Sequence, residues 1–100
     1  MSVQKIQQSN YDVIVVGGGH NGLVAAGYLA KTEFKVLVLE KRNILGGAAV
    51  TEELFPGFCF SSLADGAGHL DHGVVTDLNL SQHGFEIIPS EPLLLSLQSD

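Results

Sequence analysis

The chain has 100 residues, 45% of them apolar, and eleven Asp or Glu against five Lys or Arg give it a formal net charge of −6. Apolar content this high excludes a disordered segment, and the acidic balance argues against a protein that binds nucleic-acid phosphates. The longest apolar runs, such as Val13–Val16 and Val36–Leu39, have four residues, far fewer than the ~18 that cross a bilayer.

The first residues show no targeting pattern. Residues 1–10 are predicted to form a flexible polar arm, without the apolar stretch of a secretory signal or the Arg-rich helix of a transit peptide. The single cysteine, Cys59, excludes an intrachain disulfide and a CxxC redox pair. These features predict a protein of the cytoplasm.

A βαβ unit is predicted over residues 11–50. Asp12–Val16 is a β-branched run without alternation, which is typical of a strand covered on both faces in a parallel sheet. From Leu23 the apolar residues follow a helical period that ends near Lys31–Thr32. Val36–Glu40 is a second apolar strand, closed by an acid. Strand, helix and strand in this order predict an α/β fold with a right-handed crossover.

A GxGxxG motif lies between the first strand and the helix, where the pyrophosphate of a dinucleotide requires it. Gly17 permits the tight turn, Gly19 lets the backbone approach the pyrophosphate, and Gly22 lets the helix pack close to the strand. Glu40, 18 residues after Gly22, ends the next strand and can accept both ribose hydroxyls while repelling a 2′-phosphate. The motif predicts a dinucleotide site; a purely structural glycine turn is the alternative.

The loop after Glu40 carries a second pair of glycines, Gly46 and Gly47. This pair would bring another stretch of bare backbone to the cofactor, and the basic Lys41 and Arg42 can flank adenosine or neutralise phosphate charge. A flexible loop with solvated charges is the alternative. Nicotinamide enzymes usually continue into further βαβ units at this point, and the present sequence does not.

The second half of the chain is less regular. Phe55–Phe60 predicts a short hairpin with a Pro-Gly turn, and Asp65–Gly73 a loop. Apolar residues from Val74 onward predict a short helix that ends at His83–Gly84. Two further strands are predicted, at Phe85–Ile88 and Leu93–Leu97.

The other side chains that could carry chemistry are interpreted as structural. Cys59 lies between two phenylalanines and is interpreted as a small buried hydrophobe. His69 and His72 provide too few ligands for a closed metal site, so no metal is predicted. Glu52 and Glu53 are interpreted as a solvated face. The sequence contains no nucleophile, base and orienting group in a recognisable set, and catalytic residues stay unassigned.

Four segments together resemble a known family. Asp12–Leu29, Glu40–Glu53, Phe55–Ser61 and Asp77–Gly84 are similar to the N-terminal region of the phytoene desaturase/phytoene dehydrogenase-related flavoproteins. Within that family the resemblance is closest to the branch called pyridine nucleotide-disulfide oxidoreductase domain-containing protein 2. The resemblance implies the N-terminal βαβ part of a Rossmann-like FAD/NAD(P)-binding domain, with FAD as the cofactor.

The resemblance also implies how the rest of the chain is organised. Residues 51–100 would be the start of a substrate or cap region and of its sheet, and the chain would be the N-terminal piece of a longer enzyme. Two positions depart from the family pattern, since Ala48 follows the double glycine where relatives often have Arg or Lys, and Ser61 stands where many have Asp.

The expected function is that of a flavin-dependent oxidoreductase of dehydrogenase or desaturase type, with a small apolar substrate in the longer enzyme. A non-catalytic dinucleotide-binding fragment or remnant and an NAD-binding domain are the alternatives. The chain alone is expected to be inactive and prone to self-association, and family resemblance adds the mitochondrion as a second compartment. The candidate cofactor contacts are Gly17, Gly18, Gly19, His20, Asn21, Gly22, Glu40, Lys41, Arg42, Gly46, Gly47 and Ala48.

Overall fold

The computed structural model of the chain describes residues 10–64, 66 and 70–89. These residues belong to two compact units, the first running to residue 69 and the second beginning at Leu70. The first unit contains a βαβ element and a hairpin, and the second contains a short helix and a 3₁₀ turn.

The βαβ element consists of strand β1 (Val13–Val16), helix α1 (His20–Lys31) and strand β2 (Val36–Leu39). The two strands are parallel and pair in register from Val13 opposite Val36 to Val16 opposite Leu39. Parallel strands need a crossover, and α1 provides it. The predicted strand–helix–strand order and the α/β fold class are confirmed.

Helix α1 begins three residues earlier than the sequence pattern indicates. Gly19 is its N-cap in an extended conformation, and the carbonyl of Gly19 accepts the N–H of Leu23 at 2.9 Å. The predicted start at Leu23 is wrong because the first turn, His20 to Gly22, carries no periodic apolar side chain although it takes helical dihedrals. At the other end the hydroxyl and N–H of Thr32 both donate to the carbonyl of Leu29.

Helix α1 covers one face of the two-stranded sheet. The γ1 methyl of Val15 lies 3.4 Å from where a Cβ at Gly22 would be, so this face of β1 packs against the helix. On the opposite face Ile14 is 56% exposed and Val16 is 83% exposed. A run without alternation is typical of a strand covered on both faces, but among the described residues α1 covers only one face of β1 and the other face is open.

The hairpin consists of strands β3 (Thr51–Phe55) and β4 (Phe58–Ser61), which pair antiparallel. Gly57 has a φ of +83° in the turn, and its N–H donates to Oε1 of Glu53 at 2.6 Å. The predicted hairpin is confirmed and extends further than the pattern indicated. Cys59 is exposed, as are the other residues of β4, so its interpretation as a buried residue is wrong.

The second unit begins with helix α2 (His72–Asp77), capped by the carboxylate of Asp71, which accepts the N–H of Gly73 at 2.7 Å. Asn79 takes a left-handed conformation with φ +51°, which separates α2 from a 3₁₀ turn at Leu80–His83. The region predicted as one helix is thus two short helical segments.

The strand predicted at Phe85–Ile88 is wrong, since these residues pair with no other strand in the part of the chain that the structure describes. An apolar run becomes a strand only where a partner strand accepts its backbone hydrogen bonds. The strand predicted at Leu93–Leu97 lies outside the described residues.

The contact between Gly22 and the first strand yields a stability prediction. A Cβ at Gly22 would lie 2.1 Å from the carbonyl oxygen of Gly17. Alanine at an ordinary helix position stabilises by roughly 1 kcal/mol over glycine. We expect Gly22→Ala instead to destabilise the chain, since overpacking costs about 1–3 kcal/mol or more.

Denaturant unfolding followed by circular dichroism measures this effect. Gly66→Ala is the matched control, because a Cβ there meets nothing within 4 Å. A Gly22→Ala chain as stable as the parent would show that α1 does not pack this closely on the turn.

Candidate functional site

The site is built around the turn that joins β1 to α1, residues Gly17–Gly19, called here the glycine turn. Gly17 has a φ of +106°, a left-handed conformation that side chains rarely adopt, and its N–H donates to the carbonyl of Leu39 at 2.7 Å. Gly18 is buried, while Gly19 leads into the helix. Glycine is thus required at the first position by conformation.

Gly19 leaves an open backbone surface at the start of α1. A Cβ there would meet only the Cα of Gly47, at an ordinary contact distance of 3.8 Å. Helix α1 has no side-chain cap and no acid in its own first turn, so no side chain of the helix occupies its first N–H groups or the positive end of its dipole. An uncapped helix start behind bare backbone is the geometry that binds phosphate.

Glu40 lies directly after β2 and reaches the glycine turn. Its Oε2 accepts the N–H of Gly18 at 2.7 Å, and its Oε1 accepts the N–H of Arg42 at 2.9 Å. The Arg42 and Gly18 amides lower the pKa of the Glu40 carboxyl, with smaller effects from Lys41 and the Arg42 charge, against an opposing effect of burial. Glu40 is therefore an ionised acceptor at neutral pH, beside the turn.

The double glycine packs against the glycine turn through backbone alone. The N–H of Gly46 donates to the carbonyl of Gly18 at 2.8 Å, and Gly46 and Gly19 form an isolated parallel bridge. A Cβ on Gly47 would lie 2.9 Å from the Cα of Gly19, and Gly47 has a φ of +58°. The two glycine loops thus form one continuous backbone surface.

The remaining candidate residues differ in their surroundings. The guanidinium of Arg42 forms an ion pair with Glu52 on β3, so its side chain is held by the hairpin. Lys41 and Ala48 are exposed, with Ala48 in a 3₁₀ turn. His20 and Asn21 occupy the first turn of α1 and are exposed.

Sequence reasoning missed two residues of this site. Glu52, interpreted as solvated, is the partner of Arg42, and no local pattern links residues ten positions apart on different elements. Leu45 closes over Gly18, where an added Cβ would lie 2.5 Å from its δ2 methyl. The apolar Leu45 before the double glycine was the one signal available for this contact.

The described residues contain neither a metal cluster nor a membrane-spanning helix. No group of three or more His, Cys, Asp or Glu in residues 10–64, 66 and 70–89 is arranged to hold a metal ion; His72 lies on α2, and His69 is outside these ranges. No helix in the same part of the chain is long and apolar enough to span a membrane.

Comparisons with known proteins agree with this geometry. The family described as NAD(P)-binding Rossmann-like domain matches residues 15–82. The chain is 46% identical over 82 residues to the mouse pyridine nucleotide-disulfide oxidoreductase domain-containing protein 2, a match that covers 82% of the chain and 14% of the mouse protein. The chain thus spans about one seventh of that relative.

Two bacterial dehydrogenases match shorter stretches. A limonene dehydrogenase polypeptide of Castellaniella defragrans is 58% identical over 50 residues, half of the chain and 9% of that protein. Pseudooxynicotine dehydrogenase of a Pseudomonas species is 49% identical over 49 residues, 47% of the chain and 10% of that protein. No solved structure gives a significant match.

The lowered pKa of Glu40 predicts how stability depends on pH. A carboxylate whose pKa is lower in the folded chain stabilises it above the pKa of the unfolded chain, and this contribution is lost as the pH falls through the folded pKa. We expect the difference in unfolding free energy between the parent and Glu40→Gln to be greater at pH 7 than below about pH 4, where the carboxylate becomes protonated.

Urea unfolding at both pH values checks this expectation, with Glu86→Gln, an exposed acid of the second unit, as control. A difference between parent and Glu40→Gln that is constant with pH would contradict the role of the charge.

Proposed function

The chain belongs to the family of NAD(P)-binding Rossmann-like domains, and from that premise we propose that it binds the ADP part of FAD in a flavin-dependent oxidoreductase. The matched family and the relatives whose names contain oxidoreductase or dehydrogenase support a dinucleotide-binding domain of an oxidoreductase. The choice of FAD and the dehydrogenase or desaturase type are our proposals.

The observation that carries the proposal is the open Gly19 beside the uncapped start of α1, with an ionised Glu40 at the adjacent strand end. The pyrophosphate would lie over Gly19 and accept hydrogen bonds from the first N–H groups of α1. The Glu40 carboxylate has lone pairs beyond its two backbone bonds, so it can accept the ribose hydroxyls as well. The chemistry of these donors and acceptors fits an ADP group.

The double-glycine loop favours FAD over a nicotinamide cofactor. Gly46 and Gly47 extend the backbone surface beyond Gly19 and leave it without side chains, which suits a ligand longer than the ADP group. The resemblance of this segment to flavoproteins supports the same choice. An NAD-binding domain is the second candidate, favoured by the description of the matched family.

We assign residues 11–50 to the cofactor-binding unit and residues 51–100 to the start of a substrate region for a small apolar molecule. Bound FAD would supply hydride and electron transfer at its isoalloxazine ring. The described residues contribute binding and orientation of the ADP end. A non-catalytic binding module is the remaining alternative, and it requires the same ADP contacts.

The open surface at Gly19 yields a direct test. Gly19→Ala keeps every contact within the chain at ordinary distance but places a methyl group in the path of the pyrophosphate. We expect FAD affinity to fall at least tenfold, about 1.4 kcal/mol, with only a modest loss of stability, because alanine is a poorer N-cap than glycine. Gly19→Val should abolish binding.

Titration by flavin fluorescence measures the affinity, and Gly66→Ala is the control. If Gly19→Val bound FAD as tightly as the parent, the pyrophosphate would not lie at Gly19. Parallel titration with NAD decides between the two cofactors, since tighter binding of NAD than of FAD would favour the second candidate.

Glu40→Gln tests the ribose contact. The variant keeps the shape of the side chain but removes the charge that strengthens the ribose hydrogen bonds, and we expect FAD affinity to fall by about 10- to 100-fold. Isothermal titration with FAD and with ADP gives both constants. Equal dissociation constants for parent and variant would show that Glu40 does not contact the ribose.

A further inference from the structure

The Glu40 carboxylate makes two bonds within the chain that need no ligand. Its Oε2 accepts the N–H of Gly18 and its Oε1 that of Arg42, at 2.7 and 2.9 Å. Gly18 is the buried residue of the glycine turn. A contact to ribose alone would not require either bond.

The peptide groups of Gly18 are held from two sides. The N–H of Gly18 donates to Glu40, and its carbonyl accepts the N–H of Gly46 at 2.8 Å. The δ2 methyl of Leu45 lies over Gly18, 2.5 Å from where a Cβ on Gly18 would be. The next residue, Gly19, carries the open surface of the proposed phosphate site, so whatever fixes Gly18 also fixes the orientation of that surface.

We propose that Glu40 is a positioning residue for the glycine turn, which prepares the phosphate end of the site through Gly18 before any ligand is bound. This inference rests on the proposed function, because it assigns Glu40 an effect on a part of the ligand that Glu40 does not touch. Arg42 contributes through its own N–H, and its side chain is anchored to Glu52 on the hairpin.

A ligand without ribose separates the two roles. If Glu40 served ribose alone, its removal would leave the binding of inorganic pyrophosphate unchanged, or would strengthen it because a negative charge beside an anion site is lost. If Glu40 orients the glycine turn, its removal weakens pyrophosphate binding despite the lost repulsion. The two roles thus predict different outcomes.

The experiment is an NMR titration of the ¹⁵N-labelled 100-residue chain with inorganic pyrophosphate and, separately, with ADP. We expect Glu40→Ala to weaken pyrophosphate binding about fivefold or more, and Glu40→Gln, which keeps one acceptor oxygen, to have an intermediate effect. Glu86→Gln, which removes one exposed negative charge in the second unit, should stay within about twofold of the parent. Unchanged or tighter pyrophosphate binding by Glu40→Ala overturns the proposal.

Amide exchange in the ligand-free parent provides a measurement that needs no variant. We expect the Gly18 amide to exchange at least about tenfold more slowly than an unstructured amide and to resonate downfield. Exchange at the unprotected rate overturns the positioning role. If the parent binds neither ADP nor pyrophosphate, the proposed function fails, and the Gly18 exchange rate still decides whether Glu40 holds the turn.

Discussion

The close approach of the α1 backbone to the end of β1 is the constraint on which the first unit depends. A Cβ at Gly22 would lie 2.1 Å from the Gly17 carbonyl oxygen, so only a residue without a side chain permits this packing. The uncapped N–H groups of α1 begin directly after the turn, and β2 ends beside it because Leu39 pairs with Val16. The candidate site therefore lies where the closely packed helix and the two strand ends meet.

The overall charge of the chain acts weakly at the proposed phosphate site, where the nearest groups matter most. A net charge of −6 would repel an anion, but charges beyond roughly 8 Å are screened at physiological ionic strength. Near Gly19 the determining groups are the first N–H groups of α1. Glu40 is an ionised acid at the turn, and its carboxylate accepts hydrogen bonds from the amides of Gly18 and Arg42.

The sequence predicted those parts of the structure that depend on local rules. β1, α1, β2 and the hairpin follow from apolar periodicity and glycine placement, and Glu40 follows from its distance to Gly22. The pairing of Arg42 with Glu52 depends on how β3 lies against the loop, which no short-range pattern encodes. The strand expected at Phe85–Ile88 failed for a related reason, because strand formation depends on a partner and not on the run itself.

The contact between the two glycine loops limits how this site can change by mutation. A side chain at Gly47 would press on the Cα of Gly19, and neither residue has atoms that a second substitution could remove to restore the space. Compensating pairs, the usual route by which packed positions diverge together, are thus closed to this contact. Variation in ligand preference would have to arise at side-chain-bearing neighbours such as Leu45 and Ala48, which border the shared backbone surface without forming it.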